Sequence, residues 1–213
     1  MLNKLFYEIP AWADSFKFEE EVSVIRRKQE IIEEVQRIDQ RLDLFRSFKR
    51  ILLPTGDPLV EAVVKVLRGG FGLNIDENDE LKEDAKILDS ANKPIILVEI
   101  KGTNGSVTRQ NVYQAESHRE RAKLPTDFPS ILIINTDIKK SRNLEEKDHP
   151  VADEQVSLAK NLKVLIIRTI DLLNLLRLLM RKSISHDEII RILKEEHGWL
   201  RVSNEQWQIL PSE

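Results

Sequence analysis

The chain contains no cysteine. That excludes a disulfide scaffold and a thiolate metal site, and it fits a reducing compartment. No stretch approaches the roughly 18 consecutive apolar residues of a membrane span. The first ten residues, M-L-N-K-L-F-Y-E-I-P, have neither the basic start nor the apolar core of a signal peptide. A cytoplasmic protein without a membrane association is therefore expected. The net charge is only −3, so the field of the whole molecule does not by itself attract nucleic acid. Internal repeats and low-complexity tracts are absent. The four histidines, His118, His149, His186 and His197, have no i,i+4 or clustered spacing, so no transition-metal site is expected.

What is present suffices for a real core: 41% of the 213 residues are hydrophobic and 32% are charged. The organisation reads as a long helical segment over residues 1–54, followed by a domain over 55–213. Residues 17–53 carry the longest periodic pattern. Val24, Ile31, Ile38, Phe45 and Leu52 fall at heptad position d, and Lys28, Val35, Leu42 and Lys49 at a. Ile25, Ile32, Leu44, Phe48 and Ile51 widen the stripe. The pattern predicts one helix on the order of 50 Å long that pairs either with a second chain, as a homodimer, or with the apolar helix at 170–181. The a-position lysines weaken the seam, and a helix packing along its own domain is the plainer alternative.

Pro54-Thr55-Gly56-Asp57-Pro58 breaks that helix. Asp57 suits an N-cap and Pro58 the first position of the next helix, which Gly69-Gly70 stop. Phe71, Leu73 and Ile75 alternate as a strand, and an acidic turn at 76–80 follows. A helix is expected over about 107–123, a buried strand over 130–135, and a long charged loop over 136–150. Beyond it come a helix (151–161), a strand (163–168), the helix at 170–181, and a helix opened by the capping box Ser185-His186-Asp187-Glu188. Residues 199–213, with Trp199 and Trp207, read as a C-terminal flap.

The most informative stretch is E-D-A-K-I-L-D-S-A-N-K-P-I-I-L-V-E-I-K, residues 83–101. Two short β-forming runs flank turn residues at 89–94. Alternation along a strand puts Glu99 and Lys101 on the same face. If the turn sets Asp89 against Pro94, the same register sets Asp84 against Glu99. Two carboxylates and an ammonium then share one small volume at the end of an apolar strand. Such a set is costly unless exposed or employed, and its oxygens suit a hard divalent cation. A surface ion pair at a strand end is the plain alternative.

The element order, with D…E-x-K on the second and third strands, resembles the PD-(D/E)XK (restriction endonuclease-like) nuclease superfamily over roughly residues 55–181. The resemblance implies an α/β fold with an αβββαβ core, a mixed central sheet flanked by helices, and here a long N-terminal helix in front. On this likeness Asp84, Glu99 and Lys101 match the motif's aspartate, second acid and lysine, while Glu83 replaces its proline. Glu61, on the helix after Pro58, matches a glutamate often carried there, although with Lys65 it could simply form a solvated i,i+4 pair. Gln114, with Gln110 one turn earlier, is the match for a polar residue on the helix after E-x-K. The implied activity is Mg²⁺-dependent hydrolysis of phosphodiester bonds, with Mn²⁺ able to substitute and Asp84, Glu99 and Glu61 as the metal ligands. DNA is the implied partner, in a prokaryotic defence or mobile-element setting.

Phosphate contact requires cations. The local supply is Arg109, Arg119, Arg121 and Lys123 on the helix after the site, with Lys139, Lys140 and Arg142 in the long loop. Their interleaving with Glu116 and Glu120 is equally compatible with an ordinary charged surface. No base-reading module is recognisable. The rival expectation is a catalytically silent nucleic-acid-binding or assembly module that pairs through its long helix.

Overall fold

The computed structural model describes residues 10–77 and 84–211. It divides into two compact units, Met1–Phe45 and Arg46–Glu213. In the first, a short helix α1 (Ala11–Asp14) precedes α2 (Glu19–Lys49), whose last turn already belongs to the second unit. Lys17 ties the junction through Asp14 at 3.1 Å and Glu21 at 3.2 Å. Glu19, Glu20 and Glu21 open α2, and Arg46 and Lys49 close it, charges that complement the helix dipole at both ends. The expected single helix over 17–53 is thus a 31-residue α-helix with a 3₁₀ turn, Arg50–Leu52, after it. Its apolar stripe stays open: Val24, Ile25, Ile31, Ile32, Val35, Ile38 and Leu42 are all exposed.

The second unit is built on a seven-stranded mixed sheet whose spatial order is the chain order. Its strands are β1 (Asn74–Asp76), β2 (Ala85–Leu88), β3 (Pro94–Gly102), β4 (Ser130–Asn135), β5 (Val164–Arg168), β6 (Gly198–Val202) and β7 (Trp207–Leu210). β1, β2 and β3 pair antiparallel, β3 through β6 pair parallel, and β7 returns antiparallel. Parallel neighbours require crossovers. These are α4 (Arg109–Arg121), then α5 (Leu144–Lys147) with α6 (Asp153–Asn161), then α7 (Thr169–Met180) with α8 (His186–Glu195). The helix α3 (Asp57–Gly69) precedes the sheet. Around β1 to β4 the order is α-β-β-β-α-β, as the sequence predicts.

Side-chain alternation sorts the layers. Leu132, Ile134 and Ile166 join Val112, Ala115, Val156 and Ala159 of α4 and α6 in one core. The intervening Ile131, Ile133, Leu165 and Ile167, equally buried, point to the other face, where α3 meets β3 and α7 meets β4 and β5. The turn that ends α3 touches α7 there, since a Cβ on Gly70 would stand 2.9 Å from Leu176.

Several expectations need correction. Gly56, with φ 59°, is the N-cap of α3, and Asp57 is already helical; glycine takes the positive-φ backbone that the start of the helix requires. Phe71 and Leu73 belong to the turn that ends α3, where Gly72 has φ 68°, so the strand begins only at Asn74. Residues 199–210 are not a flap. They supply most of β6 and all of β7, which extend the sheet. The helix at 170–181 buries Leu172, Leu175, Leu176 and Leu178 of α7 against β4, β5 and β6 of its own unit and also meets the 3₁₀ turn Arg50–Leu52 that ends the 17–53 segment. The N-terminal reading of residues 1–9, most of the acidic turn at 76–80, and Glu83 lie outside the described residues.

A buried polar network joins β5, α7 and β6. The Asp171 carboxylate accepts from Arg168 Nε at 2.6 Å, Arg168 Nη2 at 2.9 Å, Trp199 Nε1 at 3.0 Å and Val202 N at 3.1 Å. Arg168 also donates to the His149 carbonyl and to Asp148, each at 2.6 Å, and stacks 4.7 Å from the Trp199 ring. Asp171 accepts four hydrogen bonds and Arg168 uses four of its five N–H protons, and such satisfaction is the condition for tolerating a buried pair.

Candidate active site

The β2–β3 hairpin creates the site. Its register sets Ala85 against Val98, Lys86 against Leu97 and Ile87 against Ile96. Asp84 comes one step further from the turn, just outside β2, where the same register carried on would set it against Glu99. Near the turn the pairing differs from expectation: it shifts between Ile87 and Leu88, so that Leu88 faces Pro94. Asp89 instead donates its N–H to the Lys93 carbonyl at 2.9 Å, and its carboxylate accepts from Ala91 N and Lys93 N, both at 2.8 Å. The irregularity absorbs the displaced turn and leaves the far end in register. There the Asp84 carboxylate accepts a 2.7 Å hydrogen bond from Ile100 N, which fixes it against the end of β3.

Lys101 Nζ lies 2.7 Å from Glu99 Oε1 and 3.8 Å from Asp84 Oδ2. Glu99 is only 2% exposed, whereas Asp84 and Lys101 are half-buried, so the cluster opens to solvent on their side. The other Glu99 oxygen, Oε2, is 3.1 Å from Nδ1 of buried His118 on α4. Both contacts are at ion-pair distance, yet neither Glu99 oxygen has a partner aligned as a hydrogen bond. Burial pushes the Glu99 carboxyl up from 4.5 to about 7; the adjacent Asp84 charge adds to the rise, while Lys101 and Arg121 oppose it. A buried carboxylate beside a second carboxylate is eased by a cation near both, the place in which Lys101 Nζ stands.

α4 is held in place by a capping box, in which Thr108 Oγ1 accepts from Asn111 N while the Asn111 side chain accepts from Thr108 N. From that start, Gln114 and His118 fall one turn apart on one stripe, and Arg121 follows three residues later. Gln114 is half-buried and stands one turn before the histidine that reaches Glu99. In the sequence His118 stands only as a histidine without zinc spacing. The available signal was its i,i+4 offset from Gln114 on the helix after E-x-K.

Glu61 is not brought into this cluster. A Cβ on Gly102 would meet Thr55 at 2.8 Å, so the face of β3 opposite Glu99 and Lys101 is the one turned to the start of α3. The exposed Glu61 lines a groove with Ser47, Arg50, Pro58 and Lys65. Arg119 also departs from expectation as a phosphate contact. It is buried and donates to the carbonyls of Phe128 at 3.1 Å, Lys163 at 3.3 Å and Leu162 at 2.6 Å, and to Glu116 at 2.5 Å. Its guanidinium fastens α4 to the segment before β5. Arg109, Lys123, Lys139, Lys140 and Arg142 are exposed.

No family model, curated protein or solved structure matches this chain.

Among the described residues, no group of three or more His, Cys, Asp or Glu side chains converges as a metal cage. Asp84 and Glu99 alone are a two-carboxylate, all-oxygen donor set. That fits Mg²⁺, which keeps several waters and takes one or two protein carboxylates, and it does not fit zinc, which demands a nearly complete protein shell.

Proposed function

We propose that this protein is a metal-dependent phosphodiester hydrolase acting on DNA, with Asp84, Glu99 and Lys101 as its catalytic set. The observation that carries this reading is the approach of two carboxylates, from facing strands, to one lysine ammonium at a half-open strand end. Mg²⁺ bound there would supply a Lewis acid and a more acidic water. Asp84 would hold the cation through the carboxylate that the Ile100 amide orients. Glu99 would bind it once deprotonated, its Oε2 side fixed by His118. Lys101 Nζ would orient the attacking water or meet a phosphate oxygen. The exposed Arg109, Lys123, Lys139, Lys140 and Arg142 would supply salt-dependent contacts to the backbone.

Incubation of supercoiled plasmid with Mg²⁺ or Mn²⁺, against an EDTA control, tests the proposal. Metal-dependent nicking that disappears in Lys101→Ala supports it; no cleavage at any metal concentration sinks it. The lack of a third metal-ligating side chain among the described residues favours a second reading, a module that binds DNA without cutting it. That reading predicts salt-dependent DNA retention with no cleavage.

A further inference from the structure

We infer that α2 is the seam of an antiparallel homodimer, in which Val35 of each copy packs against Ile38 of the other. The starting point is the uncovered stripe. Val24, Ile25, Ile31, Ile32, Val35, Ile38 and Leu42 are exposed along one helix, a continuous apolar run of the kind that marks an interaction surface. Their a/d spacing matches another helix of the same kind. The question is which helix, in which direction, and the charges beside the stripe answer it.

With Val35 and Leu42 at a and Ile31 and Ile38 at d, the flanking g positions are Glu20, Arg27, Glu34 and Arg41, and the e positions are Ile25, Ile32, Asp39 and Arg46. In a parallel, in-register pair, each g residue meets the e residue of the next heptad on the other helix. Glu34 would then face Asp39, and Arg41 would face Arg46. Both contacts are like-charged, and twofold symmetry doubles them. Like charges across a seam are the usual means of rejecting a pairing.

In an antiparallel pair, g meets g and e meets e. The register that packs Val35 against Ile38 also packs Leu42 against Ile31 and Lys28 against Phe45. It sets Glu34 of one copy beside Arg41 of the other, twice by symmetry, and places Ile32 next to Asp39 and Ile25 next to Arg46, with no like-charged contact. Sliding by one heptad in one direction sets Glu34 against its own copy and Arg27 against Arg41. Sliding in the other sets Arg41 against its own copy. Sliding by two heptads pairs Arg27 with Glu34 but sets Ile38 on Glu21 and Leu42 on Lys17, so one register satisfies both the apolar and the charge pattern. The a-position Lys28 fits it as well, since its stem can lie along Phe45 while its ammonium reaches the ring face or water.

The test uses the full chain, independently of any nuclease activity. Sedimentation velocity over a micromolar concentration series should show a reversible dimer. Glu34→Arg and Arg41→Glu should each weaken association about ten-fold, because each turns two attractions into repulsions, and the double charge swap should restore it. A parallel dimer predicts the reverse for Glu34→Arg, since the new cation would face Asp39. The cysteine-free chain permits a second readout: under oxidation, Val35→Cys should crosslink to Ile38→Cys in a mixture, and neither should crosslink to itself. A monomer at every concentration, association indifferent to the single reversals, or self-crosslinking of Val35→Cys overturns the inference.

Discussion

Glu99 Oε2 and His118 Nδ1 stand 3.1 Å apart with both side chains buried, linking the E-x-K strand to the helix that follows it. The imidazole limits the orientation of the Glu99 carboxylate, whose other oxygen faces Lys101. His118→Ala should therefore reduce Mg²⁺ affinity or cleavage by about 10–100-fold, the usual cost of losing a group that orients a ligand. His118→Asn, which can still present a polar atom, should recover part of the loss. Calorimetric Mg²⁺ titration of both variants checks this; wild-type affinity in His118→Ala would show that the contact is incidental.

Glu99 also makes stability depend on pH. Its carboxyl titrates near 7 in the fold against 4.5 ordinarily, so the folded state holds this proton more tightly than the unfolded chain does. The resulting stabilisation is complete below about pH 4.5 and is lost as pH rises through about 7. Glu99→Gln removes that dependence. In metal-free buffer the variant should gain thermal stability on the wild type at about pH 8 relative to about pH 5. Added Mg²⁺ should stabilise the wild type at the higher pH and leave the variant unmoved. Parallel melting curves for the two proteins across this range would contradict the assignment.

If Asp84, Glu99 and Lys101 act as one unit, alanine at any one should remove most of the metal-dependent cleavage, and pairs of substitutions should cost little more than single ones. Mg²⁺ binding separates their roles. Asp84→Ala and Glu99→Ala should lose it, and Lys101→Ala should keep it, because an ammonium is not a metal ligand. Plasmid nicking rates beside calorimetric titrations supply both readouts.

Gly102 follows Lys101 and has Thr55 Cα 2.9 Å and Ile138 Cδ1 3.1 Å from where a Cβ would sit. Gly102→Ala should cost about 1–3 kcal/mol through overpacking and should lower cleavage by displacing the end of β3. Chemical denaturation gives the first quantity. Gly105→Ala, at a glycine with open space around its Cβ position, is the control that should change neither.

Removing the Asp171 carboxylate would strand buried Arg168. Asp171→Ala should destabilise the second unit by about 3–5 kcal/mol, the cost of leaving one member of a buried pair uncompensated. Denaturant unfolding followed by far-ultraviolet circular dichroism measures it. A loss below about 1 kcal/mol would mean that water or Asp148 replaces the carboxylate.

The sequence made the hairpin legible because a period of two ties register to side-chain face: Glu99 and Lys101 share a face in any strand, and one facing pair settles the rest. Even a misplaced turn left Asp84 at the end of β3, where it accepts from Ile100 N, since the shift at Ile87/Leu88 absorbed the difference. Contacts that depend on how a helix packs were not legible. Arg119 and Arg121 look alike in the chain, yet two residues of helical rotation bury the first among carbonyls and leave the second exposed. His118 reaches Glu99 only once α4 has docked on β3. Glu61 depended on which face of the sheet α3 covers, and residue spacing along the helix carries no information on that. Trp199 and Trp207 did not announce strands because the segment joins the sheet at its far edge, after two helices.

A sheet whose spatial order is its chain order also has a kinetic meaning. Every strand adds beside the one synthesised before it, so no segment must be threaded between earlier neighbours. Asp84 and Glu99 belong to one hairpin, an element that closes in roughly 1–10 μs, whereas His118 must wait for α4 to settle. The two acids thus need only local closure to meet, whereas the histidine that restrains one of them needs a helix docked on the sheet.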